Sequence, residues 1–195
     1  MSCCLVSQPT YPGPMSLEVV ADDGYLVLRR QELTDLEQHL AGVDGEQMDW
    51  LWEPGDRQLY EALSLEEQRD HQLGPLQASH DSFGPGPKWC FSVDIPHATY
   101  VVYIDCDLAN NHVPTGQANI SYACHPAYRG NGYTSRAVGL VCQFLRERTS
   151  ATEAHIITDE RNAASRAVAR KAGAIERDRR VDEHGRTMIR HILTL

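Results

Sequence analysis

Hydrophobic positions in this chain switch repeatedly between two spacings. Residues 25–30 put Leu26 and Leu28 on one side and Val27 on the other, the two-residue period of a strand, and close on arginines. Helical spacing follows in Leu33, Leu36 and Leu40, where Thr34-Asp35-Leu36-Glu37 has the form of a capping box and Gly42 supplies a stop. Residues 44–57 show neither period. A second helix is expected from Ser64, whose Glu67 completes another box, to about Gly74-Pro75, and the Gly/Pro run 82–87 reads as a loop. Aromatic and β-branched residues then make a hairpin of 89–94 and 99–108 around Ile95-Pro96-His97-Ala98. Residues 117–124 alternate with Ala118, Ile120, Tyr122 and Cys124 on one face. The next helix places Ala137, Val141, Phe144 and Leu145 together. Residues 154–158 read as a short buried strand, Asn162 as the cap of a helix ended by Gly173, and 175–181 with 187–193 as a terminal hairpin. The order βααβββαβαββ predicts an α/β (α+β) domain of about seven strands and about four helices.

At 195 residues the chain is long enough for one self-sufficient core. Pro9, Pro12, Gly13 and Pro14 break up its start, so 1–23 reads as a flexible leader and 24–195 as a single domain. Cys3 and Cys4 are adjacent in that polar start, whereas Cys90, Cys106, Cys124 and Cys142 are widely spaced without a C-x-x-C pair. They read as small apolar residues of a reduced protein, with no metal site. No export signal and no long apolar run is present, so a cytoplasmic protein with no membrane partner is expected.

Charge changes the picture when it is divided. There are 5 basic against 19 acidic side chains before Arg129 and 13 against 8 from it onward, parts of −14 and +5 within a net −9. The balance disfavours general nucleic-acid binding, and it favours a polyanionic ligand on the second part only. That part opens with Arg129-Gly130-Asn131-Gly132-Tyr133-Thr134, between a strand pattern and a helix pattern. Glycines there permit positive φ and close backbone approach, and the helix start offers unpaired N–H groups and a positive dipole end to a diphosphate. The loop has no Lys-Ser/Thr pair for a Walker motif, which disfavours a nucleotide-binding α/β domain.

This loop resembles the R-x-x-G-x-[GA] coenzyme A signature of the GNAT acetyltransferase superfamily, with Thr134 where Gly or Ala is usual. Asn162-Ala163-Ala164-Ser165 followed by Lys171-Ala172-Gly173-Ala174 is similar to the N-x-x-S…K-x-G-[FA] segment of the branch containing ribosomal-protein N-terminal acetyltransferases. The resemblance runs from about Gly24 to the end of the chain. It implies a GNAT fold with a mixed, mostly antiparallel central sheet. It also implies acetyl-CoA as co-substrate, no metal, and transfer of an acetyl group to a primary amine of a small molecule or protein N-terminus by direct attack in a ternary complex. A homodimer paired through terminal strands belongs to the same expectation. The alternative is a non-catalytic acyl-CoA-binding module of the same fold.

Residue by residue, the resemblance puts pantetheine against the strand ending at Tyr122 and Cys124. The pyrophosphate falls on the N–H groups of Arg129, Gly130, Asn131, Gly132, Tyr133 and Thr134, and Asn162 on the pantetheine arm. Many GNAT enzymes carry a tyrosine seven residues after the asparagine, but Ala169 stands there, and Ser165 is the candidate for protonating the leaving thiolate, either as the general acid itself or as the holder of a water that does so. The fourth-strand glutamate of the related branch is replaced by Asn119, an amide that cannot take the amine's proton but can orient a water, with Asp105, Asp107 or Glu53 at its far end. Residues 44–70 carry nine acids against Arg57 and Arg69. With Trp50, Trp52 and Glu53 they suggest recognition of a cationic amine acceptor, or else a solvated acidic loop around a packed Trp50.

Overall fold

A computed structural model describes residues 18–84 and 86–195. Of the expected leader, 1–17 with Cys3 and Cys4 lie outside the described residues, as does Pro85 of the Gly/Pro loop. The strands are β1 (Val19–Asp22), β2 (Val27–Arg30), β3 (Lys88–Ile95), β4 (Ala98–Asp107), β5 (Ala118–Cys124), β6 (Glu153–Asp159), β7 (Ile175–Val181) and β8 (Thr187–Thr194). They form one sheet in the order β1-β2-β3-β4-β5-β6-β8-β7. Only β5 and β6 run parallel, and every other neighbouring pair is antiparallel. The helices are α1 (Leu36–Gly42), α2 (Gly45–Leu51), α3 (Asp56–Glu61), α4 (Leu65–Ser82), α5 (Tyr133–Arg148) and α6 (Ala163–Lys171).

The apolar periods account for the core. Leu28, Phe91, Val93, Val102, Ile104 and Ile120 share a sheet face and are fully or almost fully buried with Ala137, Val141, Phe144 and Leu145 of α5. The expected caps at Ser64 and Asn162 are in place: the Glu67 amide donates to Ser64 Oγ at 3.3 Å, and the Ser165 amide to Asn162 Oδ1 at 2.9 Å. Gly173 takes φ 91° just past α6. Cys90, Cys106 and Cys142 are buried free thiols, and Cys124 is half-buried.

Four expectations need correction. Val19–Asp22 falls within the expected leader but pairs with β2 as an edge strand. The first capping box is formed by Glu32 and Asp35 around a 3-10 turn (Leu33–Asp35), ahead of the Thr34–Glu37 box expected, because Asp35 is drawn into the ion network described below. The stretch 44–57 is ordered into α2 and the start of α3. Finally, α4 does not stop at Gly74-Pro75 but runs to Ser82. An interior proline costs about 3 kcal/mol. Here, burying Leu76 returns about 1.5–3 kcal/mol, and buried Gln72 accepts a hydrogen bond at Oε1 from His39 Nε2 at 3.1 Å.

The face of the sheet under α1 and α4 is polar, and one arginine organises it. Arg29, 2% exposed, donates through Nε to Asp94 at 2.7 Å and through both terminal nitrogens to Asp35 at 2.8 and 2.7 Å. Asp35 also accepts from Ser92 Oγ at 2.9 Å, and Asp94 from the Tyr100 amide at 2.8 Å. Burial alone would push the Arg29 guanidinium down, but the two carboxylates outweigh it and hold its pKa up. This bolt ties the turn before α1 to β2 and β3. Among the described residues no helix is long and apolar enough to cross a membrane.

Removing one partner from a buried ion cluster strands the others. Arg29→Ala is therefore expected to lower unfolding free energy by about 3–5 kcal/mol, measured by urea denaturation.

Candidate active site

The ladder between β5 and β6 is two pairs long, Ala118 against Ala154 and Asn119 against His155. Beyond them the strands separate, and residues 120–124 and 156–159 no longer bond across the gap. A cleft of about 330 Å³ opens there. Tyr122 and Cys124 border it from β5 and Thr158 from β6, with Asn162, Ser165 and Lys171 on the α6 side. Gly130, Gly132, Tyr133 and Thr134 close its end where α5 begins.

Gly130 and Gly132 have φ of 81° and 80°. A Cβ on Gly130 would meet nothing within 4 Å, and one on Gly132 only Ser135 Oγ at 4.0 Å. Glycine is thus demanded by the left-handed backbone and by whatever occupies the cradle, not by protein packing. Gly132 caps α5 without a side-chain acceptor, which leaves the helix's first amides for a ligand. Thr134 is buried and borders the cleft. Asn131 turns back, donating to the carbonyls of Tyr128 and Arg129 at 3.1 and 3.2 Å, and Tyr133 stacks on Tyr25.

Arg129 does something the motif does not suggest. Its guanidinium is bidentate to Asp44 at 2.8 Å on both arms, reaches Glu46 at 2.7 Å, and donates through Nε to the Cys124 carbonyl at 3.3 Å. Asp44 is also the cap of α2, accepting from the Gln47 amide at 2.9 Å. Arg129 is therefore the fastener between α2 and the glycine loop. Lys171, by contrast, borders the cleft and has no ion pair among the described residues.

A second cavity of about 640 Å³ adjoins the first. Trp50, Trp52 and Glu53 border it on one side, Asn119 and Ser121 on β5, and Arg180, His184 and Arg186 on the terminal hairpin. Tyr122 and Ser165 border both spaces. Tyr122 Oη lies 2.9 Å from Ser165 Oγ and 3.1 Å from the Ser165 carbonyl oxygen, and burial pushes the phenol up to about 12 against that hydrogen bonding. Asn119 donates to Ser121 Oγ at 3.0 Å. Of the three carboxylates suggested as partners for a water on Asn119, Glu53 borders this cavity, while Asp105 is held behind the wall by Tyr103 at 2.7 Å and Lys88 at 3.6 Å. Burial raises the Asp105 pKa despite those partners.

The acids of 44–70 are largely occupied within the protein. Arg129 takes Asp44 and Glu46, Arg57 takes Asp49 and Glu61, and Glu53 meets His184 at 2.8 Å and Arg186 at 3.8 Å. Trp52 packs edge-on against Tyr60 at 4.9 Å, and Trp50 lies under Arg161 at 5.9 Å. Sequence reasoning missed Thr158, whose buried Oγ1 has no partner, and the role of Glu46 and Leu51 in the cleft wall. It also passed over Lys171, although the K-A-G-A segment contained it.

A family model described as the acetyltransferase (GNAT) domain matches residues 25–175. The chain belongs to the GNAT acetyltransferases. It is an acyltransferase by that membership. No curated protein matches it by sequence. Among solved structures it is similar in fold to RimL, the ribosomal L7/L12 alpha-N-protein acetyltransferase, with TM-score 0.72 and 15% identity over 95% of this chain and 99% of that one. The microcin C7 self-immunity acetyltransferase MccE, solved with acetyl-CoA and AMP, gives TM-score 0.67 and 11% identity over 90% and 94%. Mycobacterium smegmatis RimJ, solved with CoA-disulfide, gives 0.66 and 17% over 91% and 85%. In this GNAT chain, among the described residues, no cluster of three His, Cys, Asp or Glu side chains is arranged to hold a metal.

Two outcomes are expected. Gly132→Val imposes about 1–2 kcal/mol of backbone strain and fills the cradle, so acetyl-CoA affinity in calorimetry should fall at least tenfold, about 1.4 kcal/mol. Asp44 has its pKa lowered by hydrogen bonds from Arg129, so its contribution is present above the ordinary value of 3.8 and is lost as pH falls through the depressed one. Asp44→Asn should accordingly lower the urea midpoint at neutral pH, and the gap from wild type should shrink steadily as pH drops below 3.8.

Proposed function

We propose that the protein is an acetyl-CoA-dependent N-acetyltransferase that acts on a primary amine of a small molecule or protein N-terminus by direct attack in a ternary complex. The observation that carries this reading is the meeting of two cavities at Tyr122 and Ser165, one ending in a glycine cradle and the other open between α2 and the terminal hairpin.

Bound acetyl-CoA supplies an activated acyl carbon; the chain's own groups do the rest. Loop amides 129–134 and the first turn of α5 hold the diphosphate, and Lys171 supplies the positive charge that Arg129 has committed elsewhere. The unpaired edge of β5 through Tyr122 and Cys124 would accept the pantetheine amides as an added strand, with Asn162, whose Oδ1 caps α6, bordering the same slot. Backbone N–H groups of that edge polarise the thioester carbonyl. Ser165 serves the leaving sulfur. Trp50, Trp52 and Glu53 form one wall for the acceptor. Because Glu53 is already in contact with His184 at 2.8 Å and faces Arg186 at 3.8 Å, recognition rests on shape and aromatic edges more than on net negative charge. The L7/L12 acetyltransferase similarity is the reason to place protein N-termini beside small amines as candidate acceptors.

The test is thiol release from acetyl-CoA in the presence of an amine panel that includes peptides with free N-termini and small polyamines. Amine-dependent release with a matching acetylated product is the expected result. Calorimetric uptake of acetyl-CoA without turnover on any amine would instead establish the binding-module alternative.

A further inference from the structure

The amine must lose a proton and the sulfur must gain one, yet the acceptor cavity has an amide at Asn119, and the helix position that supplies a phenol in many relatives is the buried Ala169. Two hydroxyls stand between the cavities instead. Tyr122 leaves β5 on the face opposite Ser121 and Asn119 and, like Ser165, borders both the acceptor space and the donor cleft. Ser165 leaves α6 in the run of Asn162, Val168 and Lys171, which border the donor cleft. Their oxygens are 2.9 Å apart and either can be the donor; the Tyr122 hydroxyl also donates to the Ser165 carbonyl at 3.1 Å, so its proton must turn to Oγ for a relay.

We propose that Tyr122 and Ser165 form a proton conduit from the attacking amine to the leaving sulfur. The inference rests on the acetyl-transfer reading above. As the nitrogen–carbon bond forms and the carbon–sulfur bond breaks, the nitrogen passes a proton to Tyr122 Oη. Tyr122 passes its own to Ser165 Oγ, and Ser165 passes its own to sulfur. Both hydroxyls end as they began, the net change is one proton moved from nitrogen to sulfur, and no outside base or oxidant enters. A phenol pushed up to about 12 holds no charge at neutral pH, so it is unsuited to stepwise base catalysis but suited to handing on one proton as another arrives.

Bound CoA reports on the donor end of the conduit without any knowledge of the acceptor. Full-length protein saturated with CoA is titrated through the ultraviolet absorbance of the thiolate, with the CoA-free protein subtracted. Ser165→Ala and Tyr122→Phe are each expected to raise the bound thiol's midpoint by about one pH unit, the size of one hydrogen bond to a charged group. The double variant should shift it no further than the larger single. CoA affinity at neutral pH should stay within a few-fold of wild type in both. With any amine the panel identifies, kcat should fall about 10²-fold in each single variant while KM for acetyl-CoA holds. A midpoint unmoved in Tyr122→Phe, or single shifts that add, overturns the conduit. So does loss of CoA uptake in Tyr122→Phe, which would make the phenol a wall of the slot. If wild-type protein takes up no CoA, the acetyl-transfer reading itself fails and the conduit falls with it.

Discussion

The molecule's chemistry depends on a sheet that stops bonding to itself. β5 and β6 share two rungs and then separate, but neither strand is loose, because β5 is held from outside by β4 from Asn119 to Cys124 and β6 by β8 from Glu153 to Asp159. Antiparallel ladders on both flanks keep the gap from closing. Unpaired main-chain groups are costly unless something meets them, so a slot held open in this way is a standing demand for an amide-bearing guest. The glycine cradle lies at one end of the slot and the second cavity at the other, so a single extended guest can satisfy the slot and still present its far end to another molecule.

Two arginines hold the helical cover in register with that slot, by different physics. Arg29 is sealed in, and its cluster tolerates no missing member, which gives the turn before α1 a fixed seat on β2 and β3. Arg129 is about one-third exposed, so its pairs with Asp44 and Glu46 are weakened by solvent and salt. The seat of α1 is thus fixed by a sealed cluster and that of α2 by partly solvated pairs, and α2 is the element that carries Trp50 and Leu51 to the cleft.

Much of this was legible in the chain itself. The period-two strands, the Ser64 and Asn162 caps, Gly173 and the Arg129–Thr134 loop are local features, decided by residues a few positions apart. The missed features are decided at a distance. Nothing near Pro75 tells that Gln72 and Leu76 will be buried firmly enough to carry a helix through it. The acids and tryptophans of 44–57 conceal α2 and α3 because their order comes from partners such as Arg129 and Arg57 rather than from an apolar stripe. In the site, the loop glycines, Asn162 and Ser165 stand out by spacing. The juxtaposition of Ser165 with Tyr122, the orphan hydroxyl of Thr158 and the diversion of Arg129 to Asp44 require strands and helices far apart in the chain to meet.

Leu51 is half-exposed, and it borders the donor cleft, the acceptor cavity and a third hollow of about 360 Å³ beneath α1 and α4. One aliphatic side chain is therefore a shared partition. Trimming it would widen all three spaces at once, whereas Arg180, His184 and Arg186 on the terminal hairpin border only one.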